Sequence, residues 1–540
     1  MLVFTGSVSL GLPVRSVLVC SGPTLALVLL FCVQEISRVK IAYLTVQDKC
    51  KDKMLTKENE SFTSRFRPKI RHTLTFASDK KDSNKWVHGW DFLLASWGFS
   101  LSLHSLWSLP IAVLQHGGLA FIIMYLVLLF VLGAPLLLLE VTLGQYSGLT
   151  CVRLFQNLCP ILSGLGVCQC LQSVLRIVLD TAVLTWISQG IYLLVSDTEI
   201  DKHFFYQGVL SRADSSHYSL HGDHVLVLAC VCASILILVV AGHKSLSKCC
   251  LVIVPLCYII ILSLAVRCTI DSGGSDGVLA LLSPDWRSLA SPTAWLEASC
   301  HVIFSLQLGT GVFSTYSTHN KFTRNIIQDC IIVIIGHVLW VILTVVMVFS
   351  IIGIVFNSRQ INITNQEDYW VFVDRIGSGL WLVVTMVESV LTKISYGWLW
   401  SVLLFVLIIL IGVTSIFGHL HLIVQVINSL NPAFAQCQSV CYFLAVSLIY
   451  LMNLGLLTVD GLHIYHLLSA FIALWPPLLF SLLTLLAAIF SHGIPHLLTD
   501  IKEMTKSNIP PWIHFHLSII YYTVAPILTT VSILHRYHLF

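Results

Sequence analysis

Apolar residues fall in about eleven long runs, near 91–114, 118–141, 168–195, 224–241, 249–268, 294–317, 328–356, 398–427, 437–456, 462–490 and 513–534. Each is close to the roughly 20 residues that cross a bilayer as a helix. The runs are too long and too uniformly apolar for barrel strands, which alternate. The pattern predicts an all-α polytopic membrane protein lying in a lipid bilayer. Two runs carry a polar interruption at mid-depth. The first reads GFSLSLHS (Gly98–Ser105), inside a stretch of serines that ends at Pro110, and the sixth reads FSLQLGTG (Phe304–Gly311). They lie five runs apart. Irregular backbone at membrane depth is tolerated only inside protein or along a cavity. Interrupted spans at matching positions of two halves point to a transporter site between inverted repeats.

Charge then orients the chain. Only 11% of the 540 residues are charged and the mean hydropathy is +0.86, against about a quarter charged in soluble proteins. Lysines and arginines crowd the segment between Arg38 and Lys85, which marks it as cytosolic, so the first main span starts inside. The net charge of +3 gives no reason to expect a nucleic-acid partner. The expected organisation is an apolar segment at 1–34 (an extra span, a signal-like segment or a start-site artefact), a basic cytosolic segment at 35–88, a first repeat at 89–268, a second repeat at 269–490, and an eleventh span with the C-terminus at 491–540. Asn362-Ile363-Thr364 is a glycosylation acceptor on the side expected to face out. The 17 cysteines have no zinc or redox spacing. The tandem Cys249-Cys250 is expected to face lipid or to carry a lipid chain.

The stretch from Trp90 to Tyr146 resembles the first two spans of the neurotransmitter:sodium symporter family (solute carrier family 6). CPILSGLG (Cys159–Gly166), SPDWRSLASPTAWLEAS (Ser283–Ser299), HNKF (His319–Phe322) and DIKEM (Asp500–Met504) follow in the family's order, and the resemblance covers about residues 85–535. It implies a broken-helix, inverted-repeat (LeuT-like) fold. The family pattern has twelve spans, so the expectation is that this chain, reaching Phe540 soon after its eleventh, lacks the last.

The resemblance also implies site residues. Sodium is a hard cation and takes oxygen ligands. One sodium position falls on the carbonyls of Gly98, Leu101 and Ile411 and the hydroxyls of Thr414 and Ser415; the bland alternative is that these hydroxyls bond back within their own helix. The other sodium position falls on Ser100, Ser105, Ser305 and His337 and is degraded, because the family's Gly-Asn reads His104-Ser105 and a further Asn reads His337. The chloride position falls on Tyr125, His301, Ser305 and His337, with two histidines in place of amides. Neutral histidines packed in a core compete there with protonated rings that donate to an anion. A zinc site from His104, His301 and His337 lacks any thiolate or clear carboxylate. Glu140 matches a bracing glutamate.

The substrate position falls on Ser102, Arg176, Asp180, Phe304 and Thr310. Ser102 stands where monoamine carriers have Asp and amino-acid carriers have Gly. Arg176 and Asp180 are one turn apart and can meet. Either they neutralise each other and fill the pocket, or they bind a zwitterion, with Arg176 taking the carboxylate. Both gate ion pairs of the family are gone: the outer positions read Ser108 and Ser469, the inner ones Ser83 and Ser429, while the aromatic plug Trp86 stays. The resemblance therefore implies sodium-dependent symport of a small polar or amino-acid-like solute of unassigned identity, with one sodium site. The alternative is a transport-inactive family member that regulates or traffics another membrane protein; a leak pathway is a third reading. No nucleophile–base–orienter set suggests an enzyme. The plasma membrane is the expected location, with a vesicle or endoplasmic reticulum membrane left open.

Overall fold

The computed structural model describes residues 85–196, 222–240, 242–358, 394–431, 434–458, 461–474 and 476–506, and the pairs 382–383 and 386–387. Every regular element among them is helical. The first span is α1 (Gly89–Ser100) and α2 (Leu103–Gln115). The second is α3 (Leu119–Leu128), a π-turn at Leu129–Gly133, and α4 (Ala134–Ser147). The π-turn ends two residues before Pro135, which cannot donate a helical hydrogen bond. There follow α5 (Cys151–Leu158), α6 (Gly164–Ser196), α7 (Gly222–Val239), α8 (His243–Ile270) and the short α9 (Gly274–Leu281). The sixth span is α10 (Pro292–Ser305) and α11 (Val312–Ser317). Next come α12 (Ile326–Ser358), α13 (Gly397–Leu430) and α14 (Gln438–Leu456). Along the tenth run lie α15 (Gly461–Leu474) and α16 (Pro476–Ser491), followed by α17 (Ile494–Thr505).

Eight helices among the described residues are long and apolar enough to span, nine when α1 and α2 count as one bent span. The sixth run does not join that number because residues 306–311 separate its halves. The tenth run counts as one span, Ile464–Ser491. The runs at 513–534 and 16–33 lie outside the described residues, as do Asn362 and Ser83.

The long helices sort their apolar residues into two faces. On α12, Ile331, Ile335, Leu339 and Ile342 are exposed, and on α14 so are Val440, Leu444, Leu448 and Leu451. These three- and four-residue steps make one stripe on each helix, the side a bilayer would cover. The opposite faces join one continuous core that also holds α1, α2, α10 and α11. The third and eighth spans, α6 and α13, pack along each other through the middle of it. Cys250 departs from the lipid-facing expectation. It is fully buried, its Sγ filling the space beside Gly98, where any Cβ would stand only 3.0 Å away. The missing side chain lets α1 and α8 approach at the depth of the first break.

Candidate functional site

The serines of the first break replace helical hydrogen bonds with side-chain ones. The chain bends by 46° between α1 and α2. Ser102 Oγ caps α2 by accepting the Ser105 N–H at 3.2 Å, as short polar residues do at a helix start. Ser105 Oγ donates to Ser102 O at 2.6 Å and accepts Trp340 Nε1–H at 2.9 Å. Ser100 Oγ donates to Trp97 O at 2.7 Å. Three carbonyls freed by the break also find donors: Leu101 N–H lies 3.3 Å from Gly98 O, Gln307 Nε2 donates to Phe99 O at 2.7 Å, and His337 Nδ1 donates to Ser100 O at 3.0 Å. A buried carbonyl needs such a partner.

The second break runs from Leu306 to Gly311. Gln307, Gly309 and Gly311 have φ of 57°, 75° and 80°, in the left-handed region that glycine tolerates best. Gly309 also has no room for a Cβ, which would lie 2.6 Å from Pro477 O. Its N–H donates to Glu140 Oε1 at 2.6 Å, so Glu140 braces the break as expected. Gln307 carries a side chain in this unfavourable conformation, and its amide ties three spans together. Besides donating to Phe99 O, its Oε1 accepts His419 Nε2–H at 3.3 Å and lies 3.3 Å from the Ser415 hydroxyl. That fixes the proton of His419 on Nε2, so Nδ1 accepts the Ser173 hydroxyl at 3.1 Å.

Arg176 and Asp180 meet beside this network. Arg176 Nε lies 3.3 Å from Asp180 Oδ1 and 3.4 Å from Oδ2, and the side chains are 12% and 6% exposed. Ser415 Oγ donates to Asp180 Oδ2 at 2.8 Å. The Arg176 guanidinium sits 4.8 Å from the centroid of the Phe304 ring, a cation–π distance. Thr310 Oγ1 donates to Gln307 O at 2.9 Å. Arg176, Asp180 and Phe304 therefore share one buried locus, and Thr310 joins it through Gln307. Ser102 serves the neighbouring cap.

The first sodium set divides in two. Thr414 Oγ1 donates to Ile411 O at 2.8 Å, so two of the expected ligands satisfy each other within α13. Ser415, the next residue, is turned instead toward Asp180. This acid places a negative oxygen beside the expected ligand hydroxyl. Gln307, His419 and Ser173 were missed in the sequence. Gln307 stood inside the quoted FSLQLGTG, and His419 lies one turn beyond Ser415, so spacing could have found both.

At the second sodium and chloride positions, Tyr125 Oη lies 2.6 Å from Ser305 Oγ and 2.9 Å from His337 Nε2; Ser305 Oγ is 3.3 Å from that nitrogen. Because His337 Nδ1–H is given to the Ser100 carbonyl, a neutral ring offers a lone pair at Nε2, which repels an anion. His301 is turned elsewhere, with Nδ1 3.0 Å from His104 Nε2. Tyr125, Ser305 and His337 are thus joined in one hydrogen-bond network. No group of three metal-ligating side chains exists among the described residues; the zinc reading fails because His337 faces Tyr125 while His104 and His301 pair with each other.

The described residues at the expected gate positions, Ser108, Ser469 and Ser429, are hydroxyls. Ser429 Oγ accepts the Thr150 hydroxyl at 2.8 Å and donates to Val426 O. Ser469 donates to His466 O at 3.0 Å, and Ser108 is half-buried. Trp86 donates Nε1–H to Tyr316 O at 3.1 Å. Beneath it, the His243 and His319 rings stack at 4.4 Å, and His319 Nε2 lies 3.1 Å from His421 Nε2.

Comparison with known sequences agrees with this geometry. The family model described as "Sodium:neurotransmitter symporter family" matches residues 83–200 and 194–538. The chain is similar to the sodium-dependent serotonin transporter of Drosophila melanogaster, 24% identical over 475 residues, covering 81% of this chain and 74% of that one. It is similar to the sodium-dependent dopamine transporter of Bos taurus, at 25% over 467 residues, with 79% and 66% covered. Similarity to the sodium- and chloride-dependent creatine transporter 1 of Bos taurus is 23% over 477 residues, with 79% and 73% covered.

Proposed function

This chain belongs to the sodium:neurotransmitter symporter family, and from that premise we propose that it moves a small polar, amino-acid-like solute across the membrane with sodium, using one sodium site. The observation that carries this reading is the 2.8 Å contact between Ser415 Oγ and Asp180 Oδ2. It gives the cradle of Gly98, Leu101, Ile411, Thr414 and Ser415 an acidic oxygen, and a hard cation prefers such oxygens. The solute lies between Phe304, Thr310 and the Arg176–Asp180 pair. A carboxylate takes the guanidinium, whose planar fork suits it, and an amine takes Asp180. Ser102 offers no counter-ion to a monoamine, which favours a zwitterion over the cargo named for the serotonin and dopamine transporters. The altered Tyr125, His301, Ser305 and His337 locus makes sodium the sole cofactor of this account. The plasma membrane is the proposed location.

A second reading is favoured by a different observation. Gln307 and His337 already occupy the Phe99 and Ser100 carbonyls, and the charged pair already fills the pocket. A family member fixed in this way acts as a partner of another membrane protein. Thermal stability of the purified protein in sodium, against potassium or choline at matched ionic strength, separates the two. A ligand that binds only the folded state stabilises it by about 2.7 kcal/mol at 100 times its Kd. A sodium-specific rise that disappears in Thr414→Ala/Ser415→Ala supports symport. No rise in well-folded protein supports the partner role.

A further inference from the structure

Four titratable side chains form a line from the outer end of the first span to the pocket. His116 lies just past α2 and Glu297 in the first half of α10; both ends face outside, because the basic segment fixes the start of the first span inside. His116 Nε2 is 3.1 Å from Glu297 Oε2, and the side chains are 21% and 41% exposed. One turn deeper on α10, His301 Nε2 lies 4.0 Å from Glu297 Oε1 with its side chain 10% exposed. His301 Nδ1 is 3.0 Å from His104 Nε2. His104 meets the edge of the Phe304 ring at 4.1 Å between centroids, and Arg176 lies 4.8 Å from that ring's centroid.

His116 Nδ1 is 3.1 Å from the Ala112 carbonyl, which only accepts, so Nδ1 carries a hydrogen. A neutral His116 then has a lone pair at Nε2 facing the carboxyl oxygen of Glu297. Two lone pairs do not sit 3.1 Å apart without a proton between them. Either His116 is an imidazolium or Glu297 is protonated; in both cases the pair holds one extra, exchangeable proton at the outer surface. His104 and His301 likewise share a single hydrogen between Nε2 and Nδ1.

We propose that the Glu297–His116 pair is a proton-loading site, that His301 and His104 pass its proton to the pocket, and that the proton is a second coupling ion for a carboxylate-bearing solute. The step balances without any other reactant. A proton leaves the Glu297 carboxyl for His301 Nε2, through rotation or one bridging water across the 4.0 Å gap. His301 releases its Nδ1 proton to His104 Nε2, leaving Glu297 a carboxylate and His104 an imidazolium. His104 is then a cation facing Arg176 across Phe304, which is costly unless an anion joins them. The solute carboxylate supplies that anion, so proton and solute favour each other's binding reciprocally. The charged and titratable groups around the line are His104 and His116 of the first span, Cys300 beside Glu297 on α10, Arg176 and Asp180 of α6, and Tyr465 of α15. Arg176 opposes the charge on His104, and Asp180 moderates Arg176.

This inference rests on the solute reading above, and its test separates the two. The full chain is placed in proteoliposomes with a trapped pH dye, and an equimolar mixture of the proteinogenic amino acids is the probe. With about pH 5.5 outside and about pH 7.5 inside, spanning the ordinary histidine range, and the potential clamped, the mixture is expected to raise inward proton flux several-fold. Glu297→Gln and His301→Gln abolish the rise; the second puts back an amide, as the resemblance implies for that position. Amino-acid uptake without proton flux, or proton flux unchanged by both substitutions, overturns the relay. An infrared acid–base difference spectrum of the purified protein needs no solute. A carboxyl C=O band lost in Glu297→Gln is expected, with its midpoint moved by at least about one pH unit in His301→Gln or His116→Gln. A band that titrates in the ordinary carboxylate range, near about pH 4, and ignores both histidines overturns the relay. Silent uptake with the coupled band intact overturns the solute reading and supports the proton-loading site.

Discussion

Removing Arg176 alone should damage the fold more than removing Arg176 and Asp180 together. The pair is 3.3 Å apart and nearly enclosed. At an effective dielectric of about 20, two unit charges at that distance attract by about 5 kcal/mol. Desolvation of both groups opposes that gain, so the intact pair adds little net stability. Breaking it is another matter. Arg176→Leu leaves the Asp180 carboxylate with the Ser415 hydroxyl as its remaining partner, and stranding a buried charge costs about 3–5 kcal/mol. Asp180→Leu strands the guanidinium on the Phe304 face, with similar loss. Arg176→Leu/Asp180→Leu removes both charges and leaves apolar side chains of fitting size, so the loss should fall to about 1–2 kcal/mol. The assay is a double-mutant cycle on apparent Tm in one detergent and buffer. Each single variant should drop by several degrees and the double variant by less than either. If the double variant loses the sum of the two single losses, the side chains act independently and the paired pocket is refuted.

Gln307→Leu should cost about 2–4 kcal/mol, because it strands the buried Phe99 carbonyl and the His419 Nε2–H; apparent Tm checks it, and a loss within error would remove Gln307 from its bracing role. His301→Gln/His337→Asn should create chloride-specific stabilisation, since the amides replace a lone pair at His337 Nε2 with N–H donors; thermal shifts in chloride against gluconate read it, and equal shifts would leave the two histidines as packing.

The spans were legible because lipid demands long apolar helices, and the two breaks because weak helix formers at mid-depth stand out against leucine and valine. The serines around Ser102 told of a break, but not that Ser102 would cap α2 while Ser105 anchored Trp340. Arg176 and Asp180 were legible as a pair from their four-residue spacing. The contact of Asp180 with Ser415 was not, since 235 positions separate them and only the packing of α6 on α13 brings them together. The same limit hid Gln307, whose amide gathers three spans from one point. His301 was read with Tyr125 and Ser305 by resemblance. It stands instead 3.0 Å from His104, a partner that sequence spacing has no means of naming. Cys250 looked exposed because lipid-facing and buried cysteines share the same apolar context, and only the empty side of Gly98 decides between them.

The central claim is a sodium ion held among Thr414, Ser415 and Asp180, and direct binding of radiolabelled sodium to the purified full chain tests it without a solute. The account predicts saturable binding with one site per chain, competed by unlabelled sodium and not by potassium. It predicts loss of that binding in Thr414→Ala/Ser415→Ala and at least about tenfold weakening in Asp180→Asn, the equivalent of about 1.4 kcal/mol. Binding that is absent from well-folded protein, or that persists unchanged in all these variants, would contradict it.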